Sequence, residues 1–461
     1  MRIFAPSLCP LVCGEGRRKP MKEERSGIQK ILWVAALMMF ATMGVMAQNE
    51  NQSNLTGSPY SRYGLGRLGT VGNAATRSMG GLGTALRTSA FTNLANPASL
   101  TAIDTLTMIF DIGLNAEWAH FSEDGSHETS WNAGFDYMSF QFPLWNRFAM
   151  SMALTPYSAV GYEYGALHSE AIDSQISPND TLRYTSTYNG MGGLQKISAG
   201  LGWTPYRSKR QELNVGADFG FIYGTVSHGG LIYINSGQGQ STIATRSFQA
   251  RGFDATIGLQ YTYRTAPEHL LTLGATFSPK MHLGIDAEVE KYSNTDTLSI
   301  RTGHSLGTPL KASAGVTYQI GRKLTAGIDC SFENWADVPG LDANLQKGDG
   351  FYQNVTRLAA GLEYQPAVYD QNYFRVCRYR AGLAAKNSYV EVYGSQNWEY
   401  TASVGIGFPV GAFSGRRSLV NLTLEYTRLQ PKSSQMLCED YVNLSFGFTF
   451  NEVMFFRGKL R

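Results

Sequence analysis

Between Leu106 and Phe450, apolar side chains recur at every second position in fourteen segments. The first runs Leu106, Met108, Phe110, Ile112, Leu114, Ala116, Trp118. The eighth runs Leu310, Ala312, Ala314, Val316, Tyr318, Ile320, and the last Val442, Leu444, Phe446, Phe448, Phe450. A period of two belongs to strands whose two faces meet different surroundings. The intervening positions are Gly, Ser, Thr, Asn, Asp and Lys, so one face suits lipid and the other a polar interior. Past the N-terminus no run of about 18 apolar residues appears, so no helix spans a bilayer. A closed barrel is the other structure that satisfies every backbone polar group in lipid. The pattern therefore predicts an all-β fold: a transmembrane antiparallel β-barrel of about fourteen strands.

The connections support this reading. Short links sit at Leu144–Asn146, Pro205–Arg210, Thr265–Glu268, Gly321–Lys323 and Gly411–Arg417. Longer polar links alternate with them, at Glu163–Tyr188, Ser227–Arg246, His282–Leu306 and Trp335–Asn354. One tight end and one long-looped end is the asymmetry of outer-membrane barrels. Trp118, Trp131, Trp145, Trp203, Trp335 and Trp398 all fall near strand ends, where an aromatic girdle is expected at headgroup level.

Composition fits a membrane barrel better than a soluble protein. Charged residues make up 16% of the 461, with 12% aromatic and 50 Gly, against about 25% charged in soluble domains. The chain begins with two segments that do not belong to the fold. Residues 1–20 read as an extension or a misassigned start. Residues 21–47 read as a signal peptide: Lys22, Arg25 and Lys30, an apolar run from Ile31 to Met46, then Val45-Met46-Ala47 before Gln48. Removing residues 1–47 takes seven of 39 Lys and Arg and three of 36 Asp and Glu, leaving 32 against 33. The mature chain is nearly neutral, and nothing suggests nucleic-acid binding. Cys330, Cys377 and Cys438 remain, an odd, scattered set with neither a disulfide framework nor metal-ligand spacing.

Residues 48–105 have a different texture, with eight Gly and little alternation. Ser89–Leu100 reads as two short helical turns, one capped by Ser89 and the other by Asn96 with Pro97 at the first helical position. Fourteen strands enclose a wider tube than an eight-stranded barrel filled by its own side chains. A compact segment ahead of the first strand is therefore placed inside as a helical hatch, with residues 106–461 as the barrel.

Two runs in this segment carry a family resemblance. Arg77-Ser78-Met79-Gly80-Gly81-Leu82-Gly83-Thr84-Ala85, then Phe91-Thr92-Asn93-Leu94-Ala95-Asn96-Pro97-Ala98-Ser99-Leu100, resembles the hatch of the FadL family of long-chain fatty-acid and hydrocarbon transporters. The opening Ser58-Pro59-Tyr60-Ser61-Arg62-Tyr63-Gly64 and the basic tail after Phe450 resemble members from Bacteroidetes-type bacteria. The resemblance implies a fourteen-stranded outer-membrane barrel, embedded in outer-membrane lipid, with Gly80, Gly81, Asn96, Pro97 and Ala98 as gating elements of the hatch. It implies passive uptake of a hydrophobic small molecule such as a long-chain fatty acid, with no catalysis and no cofactor. The alternative is a PorV-like scaffold or shuttle with a secreted-protein partner. No ligand-contacting position transfers residue by residue.

A break in the wall is also expected. The third strand alternates at Phe148, Met150, Met152 and Leu154, then meets Pro156, which has no N–H for the ladder. The strand should bulge near Pro156, with Gly161 easing the return. In the FadL family an inward kink of the third strand opens a lateral gap, and the position here is similar. His120, His127, His168, His228, His282 and His304 fall near predicted outer strand ends without a nucleophile at diagnostic spacing, and read as solvated loop residues. Gly190, Gly192 and Gly193 have no helix or Lys-Ser/Thr after them and read as barrel bends.

Overall fold

The computed structural model describes residues 56–70, 72–123, 125–171, 181–234, 241–293, 297–338, 351–392, 394–410, 418–431 and 436–453. The extension, the signal peptide and the start at Gln48 lie outside these residues.

Fourteen antiparallel strands close into a ring. They are β1 (Thr107–Glu123), β2 (Ser126–Trp145), β3 (Phe148–Ala171), β4 (Thr181–Arg207), β5 (Gln211–Ile234) and β6 (Thr242–Ala266). β7 comes in two pieces, His269–Ser278 and His282–Ser293, and so does β8, Thr297–Gly307 and Leu310–Ile320. Then follow β9 (Leu324–Asn334), β10 (Val355–Tyr364), β11 (Arg378–Val392), β12 (Ser395–Val410), β13 (Ser418–Gln430) and β14 (Cys438–Val453). β14 pairs with β1 from Cys438↔Ser122 to Val453↔Thr107 and closes the ring.

The alternation sets the faces. Along β14, Asn443, Ser445, Thr449 and Asn451 are buried inward, while Val442, Phe446 and Phe450 are exposed outward. The whole outer wall repeats this, with large apolar side chains such as Phe219, Phe253, Ile257, Leu358, Leu383 and Val404 left bare. An apolar surface this continuous would be penalised in water and is the surface a bilayer covers.

Several details differ from the sequence reading. Much of the expected long links is strand: β3 to β6 are 24, 27, 24 and 25 residues long, so the wall stands tall on one side. His282–Leu306 is largely a hairpin of β7 and β8, each interrupted at a proline, Pro279 and Pro309. Thr308 N–H donates to Met281 O at 2.8 Å, and Met281 N–H to Thr308 Oγ1 at 3.0 Å, bridging the two interruptions. Five tryptophans point outward, but Trp335 is fully buried in the lumen, donating from Nε1 to Glu333 and packing on Tyr352 and Tyr389. A polar link supplies no phase, so its direction was not readable.

The chain from Thr56 to Ile103 lies against the inner faces of the strands. Its elements are two 3₁₀ turns, Pro59–Arg62 and Pro97–Ala102, a two-residue strand Arg67–Leu68, and the helix α1, Ala74–Arg77. No helix starts at Ser89. The helix that does form is capped by Asn73, whose side chain accepts from Thr76 N–H while Thr76 Oγ1 accepts from Asn73 N–H, a capping box. Bonds tie the segment to the wall from many sides. Thr423 of β13 donates to Ala74 O at 2.7 Å, Thr317 of β8 to Ala85 O at 2.9 Å, and Gln141 of β2 to Leu100 O at 2.8 Å. Inward glycines permit the close approach: a Cβ at Gly382 would land on the backbone of Met79 and Gly80, and one at Gly258 on Asn96 and Pro97.

Candidate portal in the barrel wall

β2 and β3 pair from Trp145↔Phe148, with a register shift before Pro143↔Ala149, up to Met138↔Leu154, and there the ladder ends. Pro156 follows two residues later. On its other side β3 stays paired with β4 up to Ala171↔Thr181, with Tyr157 as an extra residue between Pro156↔Gln195 and Ser158↔Leu194. This is a β-bulge, and a bulge bends its strand. The edge that β3 withdraws from β2 is taken over by the N-terminal segment: Arg67 pairs with Ala159, Leu68 with Ser158, and Gly69 N–H donates to Tyr157 O at 2.9 Å. Gly161 sits just above; its N–H donates to Ser61 Oγ at 3.1 Å and its carbonyl accepts from Ser61 Oγ at 3.3 Å. Of the three glycines opposite, Gly193 has no room for a Cβ against Ser158 O, and Gly192 has φ +110°. They let β4 follow the bend.

Above Met138, β2 continues paired with β1 to Glu123↔Ser126. Between β2 and the displaced β3 lies a cavity of about 160 Å³, bounded by Asn132–Asp136 on one side and by Pro156, Ser158 and Ala159 on the other. Behind it, in the lumen, a second cavity of about 310 Å³ shares Arg67, Pro156, Arg357 and Glu399 with the first.

The lining is rich in paired charge. Arg67 meets Glu117 at 2.5 Å and lies 4.0 Å over the Tyr441 ring. Arg77 meets Asp136 at 2.7 Å, Lys386 meets Glu399 at 3.2 Å, and Lys196 bridges Asp254 at 2.7 Å and Asp218 at 3.3 Å. Burial pulls the Arg77 guanidinium down, but Asp136 and Glu425 outweigh it and its pKa is raised; Arg67 behaves alike through Glu117. Apolar side chains fill the tall end above: Leu65, Val160, Ile222, Phe248, Leu283 and Trp335 pack into one cluster. His228 adjoins this cluster, half-buried on β5 with its ring against Tyr162 and Phe248 and bonded to Tyr162 Oη at 2.8 Å, and is no solvated loop residue. His282 opens the second piece of β7 in mid-wall, whereas His120 and His127 stack at the β1–β2 tip. Among the described residues no cluster of three His, Cys, Asp or Glu is placed to hold a metal.

The five residues expected to gate the lumen, Gly80, Gly81, Asn96, Pro97 and Ala98, lie against the inner faces of the strands. Gly80 and Gly81 have φ +67° and +74°, a turn closed to residues with a side chain, and Gly80 N–H donates to Ser403 Oγ at 3.0 Å while its carbonyl accepts from Arg357. Asn96 is fully buried; its Oδ1 accepts from Ala98 N–H at 3.0 Å and its Nδ2 donates to Thr84 O at 2.7 Å, with Pro97 starting the 3₁₀ turn. Asp329 was missed by sequence reasoning. Its Oδ2 accepts from the N–H groups of Gly83 and Thr84, both at 2.7 Å. Arg357 was missed too, since nothing local marks either as a hatch contact.

A family model described as BamG matches residues 28–461. The chain belongs to the BamG family. No curated protein matches it in sequence. Among solved structures, this BamG-family chain is similar to the P. putida toluene transporter TodX, with TM-score 0.53, 15% identity, and coverage of 85% of this chain and 100% of that one. It is also similar to the Ralstonia pickettii toluene transporter TbuX, at TM-score 0.52 and 15% identity over 84% and 98%. A Pseudomonas aeruginosa FadL homologue gives TM-score 0.52 and 15% identity over 84% and 99%. At such identity the likeness is one of fold: the BamG-family barrel is FadL-like in strand number and closure.

Proposed function

We propose that this chain is an outer-membrane protein for passive uptake of hydrophobic small molecules, long-chain fatty acids among them, and that cargo crosses the wall sideways between β2 and β3. The observation that carries the reading is the end of the β2–β3 ladder at Met138↔Leu154, with a cavity behind it. Backbone off the ladder is tolerated at membrane depth only where it lines a cavity or meets other protein. A sideways route suits an apolar cargo, which passes between lumen and lipid without crossing water. The hatch, taken as residues 48–105, would gate the floor, and a signal peptide ending at Ala47 would deliver the chain. The relatives named for toluene transport and the FadL homologue support an uptake role by analogy of fold.

A second reading, a scaffold or shuttle for secreted proteins, draws on the filled tall end, where the cluster around Leu65 and Trp335 occupies the axis. Mass spectrometry of whatever co-purifies with the native protein separates the two. A bound amphiphile or hydrocarbon is expected; a stoichiometric secreted protein with no small molecule would overturn uptake.

A further inference from the structure

Eight charged side chains line the portal cavity: Arg67, Arg77, Arg357 and Lys386 against Glu117, Asp136, Glu399 and Glu425. Three cations and three acids are spent on one another, as Arg67–Glu117, Arg77–Asp136 and Lys386–Glu399. One of each sign is left, Arg357 and Glu425, and neither forms an ion pair within 4.0 Å among the described residues. Arg357 reaches only the Gly80 carbonyl, a neutral acceptor. Other polar atoms around the same cavity also lack partners: Arg77 Nε, Asp136 Oδ2, Ser158 Oγ and Asn443 Oδ1 are buried without a hydrogen bond. Buried groups of this kind cost free energy unless something meets them.

An uncharged hydrocarbon leaves all of these groups unmet, and a simple anion can meet the donors on Arg357, Arg77 and Ser158 but leaves Glu425 and the acceptors Asp136 Oδ2 and Asn443 Oδ1 without a partner. Beside them Phe135 lines the cavity and is 43% exposed, so it offers an apolar surface reaching from the cavity to the lipid. We infer that the portal is a binding site for the head of a zwitterionic amphiphile, its anionic group on Arg357, its cationic group toward Glu425, and its tail running out past Phe135 into the membrane. This rests on the sideways-uptake reading and names its cargo class: molecules with a doubly charged, net-neutral head, in place of bare hydrocarbons. The neutral head matches the balanced lining, because an unpaired charge drawn into a low-dielectric site is penalised more heavily than one that meets an opposite charge there.

The test uses the full mature barrel in a non-ionic maltoside detergent, titrated calorimetrically with hexylphosphocholine below its micelle concentration, with hexanoate and with toluene. Hexylphosphocholine should bind at least tenfold more tightly than the other two. R357Q and E425Q should each remove most of that preference, and S158A, which deletes only an unpartnered hydroxyl, should weaken it a few-fold. Heat-modifiable gel migration shows that each variant is folded; if the charge variants do not fold, S158A and the three-probe comparison still decide. Toluene or hexanoate binding as tightly as hexylphosphocholine, or a preference unchanged in the folded variants, overturns the inference and leaves uptake standing. Binding by none of the three probes overturns both.

Discussion

Replacing Asp329 by Ala should unlatch the hatch while leaving the barrel closed. The carboxylate Oδ2 accepts two backbone N–H groups, from Gly83 and Thr84, both at 2.7 Å, and these residues follow directly on the Gly80-Gly81 turn. Hydrogen bonds to a charged acceptor contribute about 1.5–3 kcal/mol each. Two would give about 3–6 kcal/mol, but the central cavity lies beside Asp329, and water entering the vacated space would recover part of this. A net local loss of about 2–4 kcal/mol remains, a factor on the order of 30 to 1,000 in the opening equilibrium. The wall ladders β8–β9 and β9–β10 use backbone groups alone and should survive. Hydrogen exchange read by mass spectrometry on the intact barrel measures this directly: peptides covering residues 79–86 should exchange faster by about that factor, with β9 peptides unchanged. Unchanged exchange at residues 79–86 would show that Asp329 does not hold the turn. Faster exchange throughout β9 would show that it stabilises the wall instead.

Three further outcomes follow from the same contacts. Asn96→Ala removes an N-cap and the bond to Thr84 O, so the Pro97–Ala102 turn should lose about 1–3 kcal/mol, seen as faster exchange there in a barrel that still shows heat-modifiable migration. Gly382→Val puts a branched side chain where Met79 and Gly80 already lie; in planar bilayers it should raise conductance by displacing the hatch, and a conductance equal to the parent would mean that the segment does not block the lumen. Pro156→Val returns an N–H to β3, so the rate of hydrophobic tracer uptake into vesicles should fall at least twofold at equal amounts of folded barrel; because the bulge at Tyr157 and the Arg67–Leu68 pairing still hold β3 inward, closure should be partial.

What was legible in the sequence follows from which interactions are local. Strand number and facing come from alternation within single segments, and Phe148 to Leu154 showed both where β3 is regular and, through Pro156, where it stops. The same proline logic applies at Pro279 and Pro309, yet strand continues beyond both. Beyond Pro279, Leu283, Ile285 and Ala287 still alternate but face inward, opposite to Leu273 and Phe277 before it, and Asp286, Glu288 and Glu290 lie among them, so His282–Leu306 looked like a link. Asn96-Pro97 declared its cap because a cap is a contact between near neighbours. Asn73-x-x-Thr76 carries an equally local signal and was passed over for Ser89, whose side chain caps no helix. The partners of the hatch were hidden for a different reason. Asp329, Arg357 and Ser403 reach Gly80–Thr84 from strands hundreds of residues away, and only the closed register brings them together. Trp335 likewise lay beyond a strand end, where no period says whether a ring faces lipid or lumen.

The central claim is that cargo passes through the opening between β2 and β3, and filling that opening tests it most directly. Gly134 borders the portal cavity of about 160 Å³ and lies on a strand with no left-handed φ to forbid a side chain. Uptake of a fluorescent long-chain fatty acid should therefore be measured in vesicles carrying equal amounts of folded parent and Gly134→Trp barrels. The account predicts uptake at least tenfold slower in the filled variant, with hatch exchange unchanged; equal rates in the two would contradict it.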